Sequence, residues 1–271
     1  MAKYKKKRAR ELQHDKFRDA AGRIFDRVGD RLEGRGKAIL YGLAGIVLLA
    51  VLLGVYLKWS NRKSEEARRA LGKAIEIATA PVATGTPLPG APAPTYSSER
   101  ERAQRAIEVF QQVANKYGDP YRTEARYFIA TSMLSVDRNK AMSELAEVSK
   151  SSAVEPATLA KFALAQAQEA DGKFDEAAKL YSELAAQNGT IVTADTANLQ
   201  LSAVYEKQGK KKEATDLLFN IVEASRKAKD ADGLPLTPSS AARDASEKLQ
   251  KLDADRYAKL TPELPSGALP F

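Results

Sequence analysis

The 271-residue chain carries a formal charge of +8, has no cysteine and holds a single histidine, His14. Disulfides, catalytic thiolates and thiol zinc sites are therefore excluded, and Ser-His or transition-metal constellations have almost nothing to be built from. The positive charge is confined to two stretches: residues 1–37 hold 13 Lys/Arg against 6 Asp/Glu, residues 58–73 hold 6 against 2, and residues 74–271 hold 24 against 27. A folded basic face, the footprint of nucleic-acid binding, is not expected from that distribution.

The first 37 residues form a basic tail. Phe17, Ala21, Ile24, Val28 and Leu32 recur at steps of three or four, which predicts an amphipathic helix. Such a helix suits either the inner membrane surface or a cytoplasmic partner. Residues 38–57, AILYGLAGIVLLAVLLGVYL, then run without a charge between Lys37 and Lys58. At about 1.5 Å per residue this is about 30 Å of helix, enough for a bilayer core. It is too long for a signal-peptide core, and no Ala-x-Ala cleavage site follows. Tyr41, Tyr56 and Trp59 sit near its ends, where aromatic rings favour the headgroup layer. The basic tail favours a cytoplasmic N-terminus, with the long remainder across the membrane in the periplasm.

Asn61 to Ala80 again reads as helix. Residues 81–98 (PVATGTPLPGAPAPTYSS) are too rich in proline for a regular element and predict a semi-extended insertion. Residues 99–253 are helix-forming almost throughout, with short breaks at Gly118-Asp119-Pro120, Asp137-Arg138, Val154-Glu155-Pro156, Asp171-Gly172, Asn188-Gly189, Gln208-Gly209 and Gly233-Leu234-Pro235. Breaks this short force neighbouring helices to pack antiparallel. A Pro-rich tail, 261–271, closes the chain.

A repeat lies within this region. Ala106, Ala141, Ala177 and Ala214 are spaced 35, 36 and 37 apart. Each is followed four residues later by a large apolar residue (Phe110, Leu145, Tyr181, Leu218) and seven residues later by another (Val113, Val148, Leu184, Ile221). A small residue is needed where two helices cross closely, and a large one fills the gap to the next pair. Leu164-Ala165 and Leu201-Ser202 precede their alanines by 13 and 12 residues, and Phe128-Ile129 takes the same places before Ala141. Leu71-Gly72 fits the first unit if the Pro-rich stretch is inserted inside its hairpin.

These units resemble the tetratricopeptide repeat, GKFDEAAKLYSELA (172–185) most clearly. The expected fold is all-α: one transmembrane helix (38–57), then a degenerate tetratricopeptide-like helical-hairpin solenoid (58–260). Short tail, single anchor and degenerate repeats together resemble the YfgM-like family of ancillary SecYEG translocon subunits of the bacterial inner membrane. The resemblance implies a scaffold that meets the translocon and periplasmic chaperones. It implies a protein-binding role with no catalytic site, metal or other cofactor, nucleic acid or small-molecule substrate. By repeat register, the face of the first helices displays Arg126, Met133, Phe162, Gln166, Glu169, Leu199 and Glu206 as candidate partner-binding residues. The alternative is a cytoplasm-facing adaptor of reversed topology that uses the same repeats.

Overall fold

The computed structural model describes the backbone of residues 36–82 and 95–262, and within them the side chains from Gly45 onward except Tyr56, Trp59 and Asn61. The amphipathic tail helix, the rings of Tyr41, Tyr56 and Trp59, the centre of the Pro-rich insertion and nearly all of the C-terminal tail lie outside the described residues.

The chain divides into two units, residues 1–64 and 65–271. Helix α1 (Gly36–Ala78) contributes to both. In the first unit its described apolar side chains, from Ile46 to Leu57, are all exposed. Among the described residues no helix is long and apolar enough to cross a membrane. Of the uncharged 38–57 run, side chains are described at 45–55 and at Leu57.

The second unit is all-α among its described residues. It takes residues 65–78 of α1, followed by α2 (Glu99–Lys116), α3 (Tyr121–Met133), α4 (Arg138–Val148), α5 (Val154–Ala170), α6 (Phe174–Gln187), α7 (Ala194–Lys207), α8 (Lys211–Lys227), α9 (Ser240–Leu252) and the short α10 (Ala254–Tyr257). From α2 onward consecutive helices pack on one another, α3 also touches α5 as α7 touches α9, and residues 65–78 share an apolar cluster with α2 and α3. That is a stack of hairpins in which the leading helices (65–78, α3, α5, α7, α9) neighbour one another and the trailing helices (α2, α4, α6, α8) complete each pair.

Local chemistry sets the helix ends. Ser98, Thr193 and Ser239 each accept a hydrogen bond from the backbone N–H three residues on, and Asp137 does the same for Lys140. The turns inside the third and fourth hairpins are copies of one another. Gly172 and Gly209 both adopt φ +74°. Gly172 N–H donates to Glu169 C=O and Lys173 N–H to Gln168 C=O, while Gly209 and Lys210 do the same to Glu206 and Tyr205. Each is a Schellman turn, which answers the last carbonyls of the leading helix and needs a left-handed residue. Gly172→Ala and Gly209→Ala should therefore each cost roughly 1–2 kcal/mol, read as a shift in the denaturation midpoint. An unchanged midpoint would mean that the turns do not hold the hairpins.

The repeat register is realised in the core. Ala106, Ala141, Ala177 and Ala214 are all buried, as are the residues four and seven positions beyond each. Burial falls into four apolar clusters strung along the stack, each spanning adjacent helices. The first joins Leu71 and Ala74 to Ala106, Phe110, Val113 and Ala125, so residues 65–78 do form the leading helix of a hairpin. The Pro-rich insertion is pinned at its base, where Tyr96 N–H donates to Pro81 C=O at 3.2 Å and Arg102 Nη1 to Ala80 C=O at 3.0 Å.

One register position is corrected. Ile129 is only half-buried, and the small residue buried next to it in α3 is Ala130. The α3–α4 turn, residues 134–137, has no glycine and is one residue longer than the two Schellman turns, and α3 ends three residues after Ala130, against five after Ala165 and Ser202 in α5 and α7. A second feature lay beyond the sequence reading. Among the described residues helix α9 has no trailing partner of full length. It buries Ala241, Ala242, Ala245 and Leu249 against α7 and α8, and exposes Arg243, Asp244, Glu247 and Lys251. The stack ends on a polar cap, as repeat arrays require.

Candidate protein-binding face

The face in question is the side of the leading helices α3, α5 and α7, and the seven candidate residues fare differently on it. Gln166 on α5 and Glu206 on α7 are exposed, and Met133 at the end of α3 is half-buried. Arg126 donates from Nε to Glu144 Oε1 at 2.6 Å, tying α3 to its trailing helix α4. Phe162 packs edge-on against Tyr181, ring centroids 5.7 Å apart. Leu199 is buried in the terminal apolar cluster, beneath α9.

Glu169 is the hub of a polar link between hairpins. Its Oε2 accepts from Tyr181 Oη at 3.0 Å, and its Oε1 accepts from Lys207 Nζ at 2.8 Å. Tyr181 belongs to α6 and Lys207 to α7, so one carboxylate joins three helices. Burial, with the Glu169 carboxylate beside it, pushes the Tyr181 phenol far above its ordinary range. The group therefore stays a hydroxyl donor at any working pH.

Leu199, Phe162, Glu169 and Arg126 thus spend their side chains on holding the stack. Leu199 in particular is not an open groove residue, because α9 packs over it. Removing Arg126 and Phe162 together would remove an inter-helix ion pair and a core ring contact, so that pair cannot separate binding from folding.

A shallow cavity of about 310 Å³ lies between α7 and α9, floored by Leu199 and Gln200 and rimmed by Asp244, Glu247, Lys248 and Lys251. Sequence reasoning passed over these α9 residues because the helix belongs to no complete repeat. The 3-4-3 spacing of Ala242, Ala245, Leu249 and Leu252 was the available signal. On the neighbouring pair, burial and the nearby Glu155 raise the Glu124 carboxyl above its usual range. Among the described residues no group of His, Asp or Glu side chains is placed to hold a metal ion.

Taken together, the paired helices, buried crossing alanines and repeated Schellman turns define an all-α helical-hairpin repeat protein of the tetratricopeptide-like kind. No family model matches the chain, and no curated protein matches it. Among solved structures it is similar to crystal structures of kinesin light chain nearly identical TPR-like repeats from Podosopora anserina and of a single-substitution variant of the same protein. Each shows 17% identity and a TM-score of 0.44 over 58% of this chain, covering 81% and 80% of the respective neighbours.

Proposed function

We propose that this protein is a membrane-tethered scaffold, with residues 38–57 as its anchor and the helical-hairpin domain as its protein-binding part. The observation that carries the reading is the exposure of Gln166 and Glu206 on neighbouring leading helices of a repeat stack, the kind of surface such arrays use for partners. The uncharged 38–57 run and its basic flanks support the tether. Confinement to a membrane raises effective concentration, so modest contacts suffice for binding. The domain is read as binding rather than catalytic.

By its resemblance in layout to ancillary translocon subunits, the cytoplasmic tail and periplasmic domain would place the protein beside SecYEG and periplasmic chaperones, assisting exported proteins. The reversed topology is distinguished by fusing alkaline phosphatase after Phe271. Activity of the fusion supports the periplasmic placement, and an inactive fusion of normal abundance overturns it.

The binding face is tested by recovery of partners from detergent-solubilised membranes. Gln166→Arg with Glu206→Arg should lower recovery several-fold and leave thermal unfolding unchanged, because neither side chain is buried. Undiminished recovery would reject this face. Recovery by an unrelated domain carried on residues 1–60 would assign the interaction to the tail and anchor.

A further inference from the structure

Four of the five exposed large apolar residues described in the second unit share one edge. Among its described residues the large hydrophobics counted as exposed are Val82, Val154, Ile191, Leu234 and Leu236. Val154 is 74% exposed at the first position of α5, Ile191 40% in the α6–α7 connection, and Leu234 and Leu236 44% and 49% in the α8–α9 connection. All four lie where a trailing helix hands over to the next leading helix. In an antiparallel stack these connections share one edge. The opposite edge presents Ser135, Asp171, Lys173 and Lys210 at the turns 134–137, 171–173 and 208–210, and Val82, 37% exposed, in the first hairpin's connection.

The leading helices all start at the apolar edge, and residues 65–78 are the first of them. Arg68, at the start of that segment, donates to Tyr121 Oη at the start of α3, so the two helices begin side by side. At its other end Ala80 meets Arg102 of α2. The chain therefore enters the domain on the same edge that carries Val154, Ile191, Leu234 and Leu236. In sequence only Lys58–Ser64 separate the uncharged run from Glu65. These seven residues belong to helix α1, and at most about 25 Å of chain could lie between the two.

The α8–α9 connection is also held in shape. Leu236 N–H donates to Ala228 C=O at 3.0 Å, Asp230 N–H to Leu234 C=O at 2.9 Å, and Asp230 Oδ1 accepts from the N–H of Asp232 and Leu234. Its two leucines are thus displayed on an ordered loop at no further ordering cost.

We propose that this edge is a lipid-contacting surface, with Val154, Ile191, Leu234 and Leu236 seated in the interfacial layer of the bilayer that holds the anchor. The inference rests on the anchor reading. Singly, each side chain offers only a small burial gain, but a tethered domain needs little to settle in one orientation. That orientation turns the edge toward the membrane and leaves the turn edge in the aqueous phase.

The absence of cysteine makes the test direct, because any introduced cysteine is the only labelling site. Spin labels are placed one at a time on Val154→Cys, Ile191→Cys and Leu236→Cys, on Ser135→Cys and Lys173→Cys of the opposite edge, and on Leu49→Cys in the uncharged run. The full chain is reconstituted in vesicles of phosphatidylethanolamine and phosphatidylglycerol, and relaxation by oxygen is compared with relaxation by a water-soluble nickel chelate. The expected result is an oxygen-to-nickel accessibility ratio several-fold higher at positions 154, 191 and 236 than at 135 and 173. Equal ratios on the two edges, with a high ratio at position 49, would overturn the lipid-contacting edge and leave the anchor standing. A low ratio at position 49 would overturn the anchor and this inference with it.

Discussion

Tyr181→Ala is expected to cost about 3–5 kcal/mol, the range for emptying a large aromatic site in a packed core. The ring is fully buried between α6 and its neighbours, meets Phe162 edge-on, and its hydroxyl donates to Glu169. Tyr181→Phe separates the two contributions. It keeps the ring and removes one hydrogen bond to a carboxylate, worth about 1.5–3 kcal/mol. Glu169 retains Lys207 as a partner in that variant, which favours the lower end. Guanidinium unfolding of the full chain in detergent, followed by helix circular dichroism, reads both. If the two variants lose the same amount, packing of the ring contributes little and the hydroxyl carries the site.

Phe110→Ala should be as severe, about 3–5 kcal/mol, but with a different distribution. Phe110 stacks on Phe128 at 4.9 Å between centroids and closes the cluster that holds Leu71 and Ala74. The connection from Ala78 to Glu99 has twenty residues, against three in the Gly172 turn. Loop-closure entropy makes that hairpin about 1.7 kcal/mol more costly to close. Residues 65–78 therefore rely on packing, and removing Phe110 should release them first. Amide hydrogen exchange is expected to rise across 65–78 and α2 well before α6 or α8. A uniform rise over the whole domain would show the stack to unfold as one unit.

The hairpin architecture was readable because the repeat writes its own register. Ala106, Ala141, Ala177 and Ala214 mark the crossings, and all four are buried where the spacing places them. The register shifted at Ile129 because sequence spacing assumes that every leading helix ends at the same distance from its crossing, and α3 ends sooner, at Met133. The candidate face was less readable. A periodic pattern says which side of a helix a residue occupies, and it says nothing about what else covers that side. Leu199 met α9 there, and Glu169 met Lys207 from 38 residues away. Gln166 and Glu206 stayed open because no later helix crosses them. The uncharged 38–57 run is plain in the sequence, while its described side chains cover only part of it.

The long closure of the first hairpin also sets an order of events during synthesis. A ribosome delivers residues 65–78 first, but Leu71 and Ala74 can be covered only after Phe110 and Ala125 have been made. About 50 residues separate Ala74 from Ala125, which at about 5–20 residues per second is a wait of several seconds. Until α2 is made the first leading helix has no partner, and the Pro-rich segment behind it cannot supply one. The helices that follow are spared this, since each meets its mate across a three- or four-residue turn almost as soon as it appears. The domain is thus built from its middle outward, and the segment made earliest is the one that must be kept from mispairing longest.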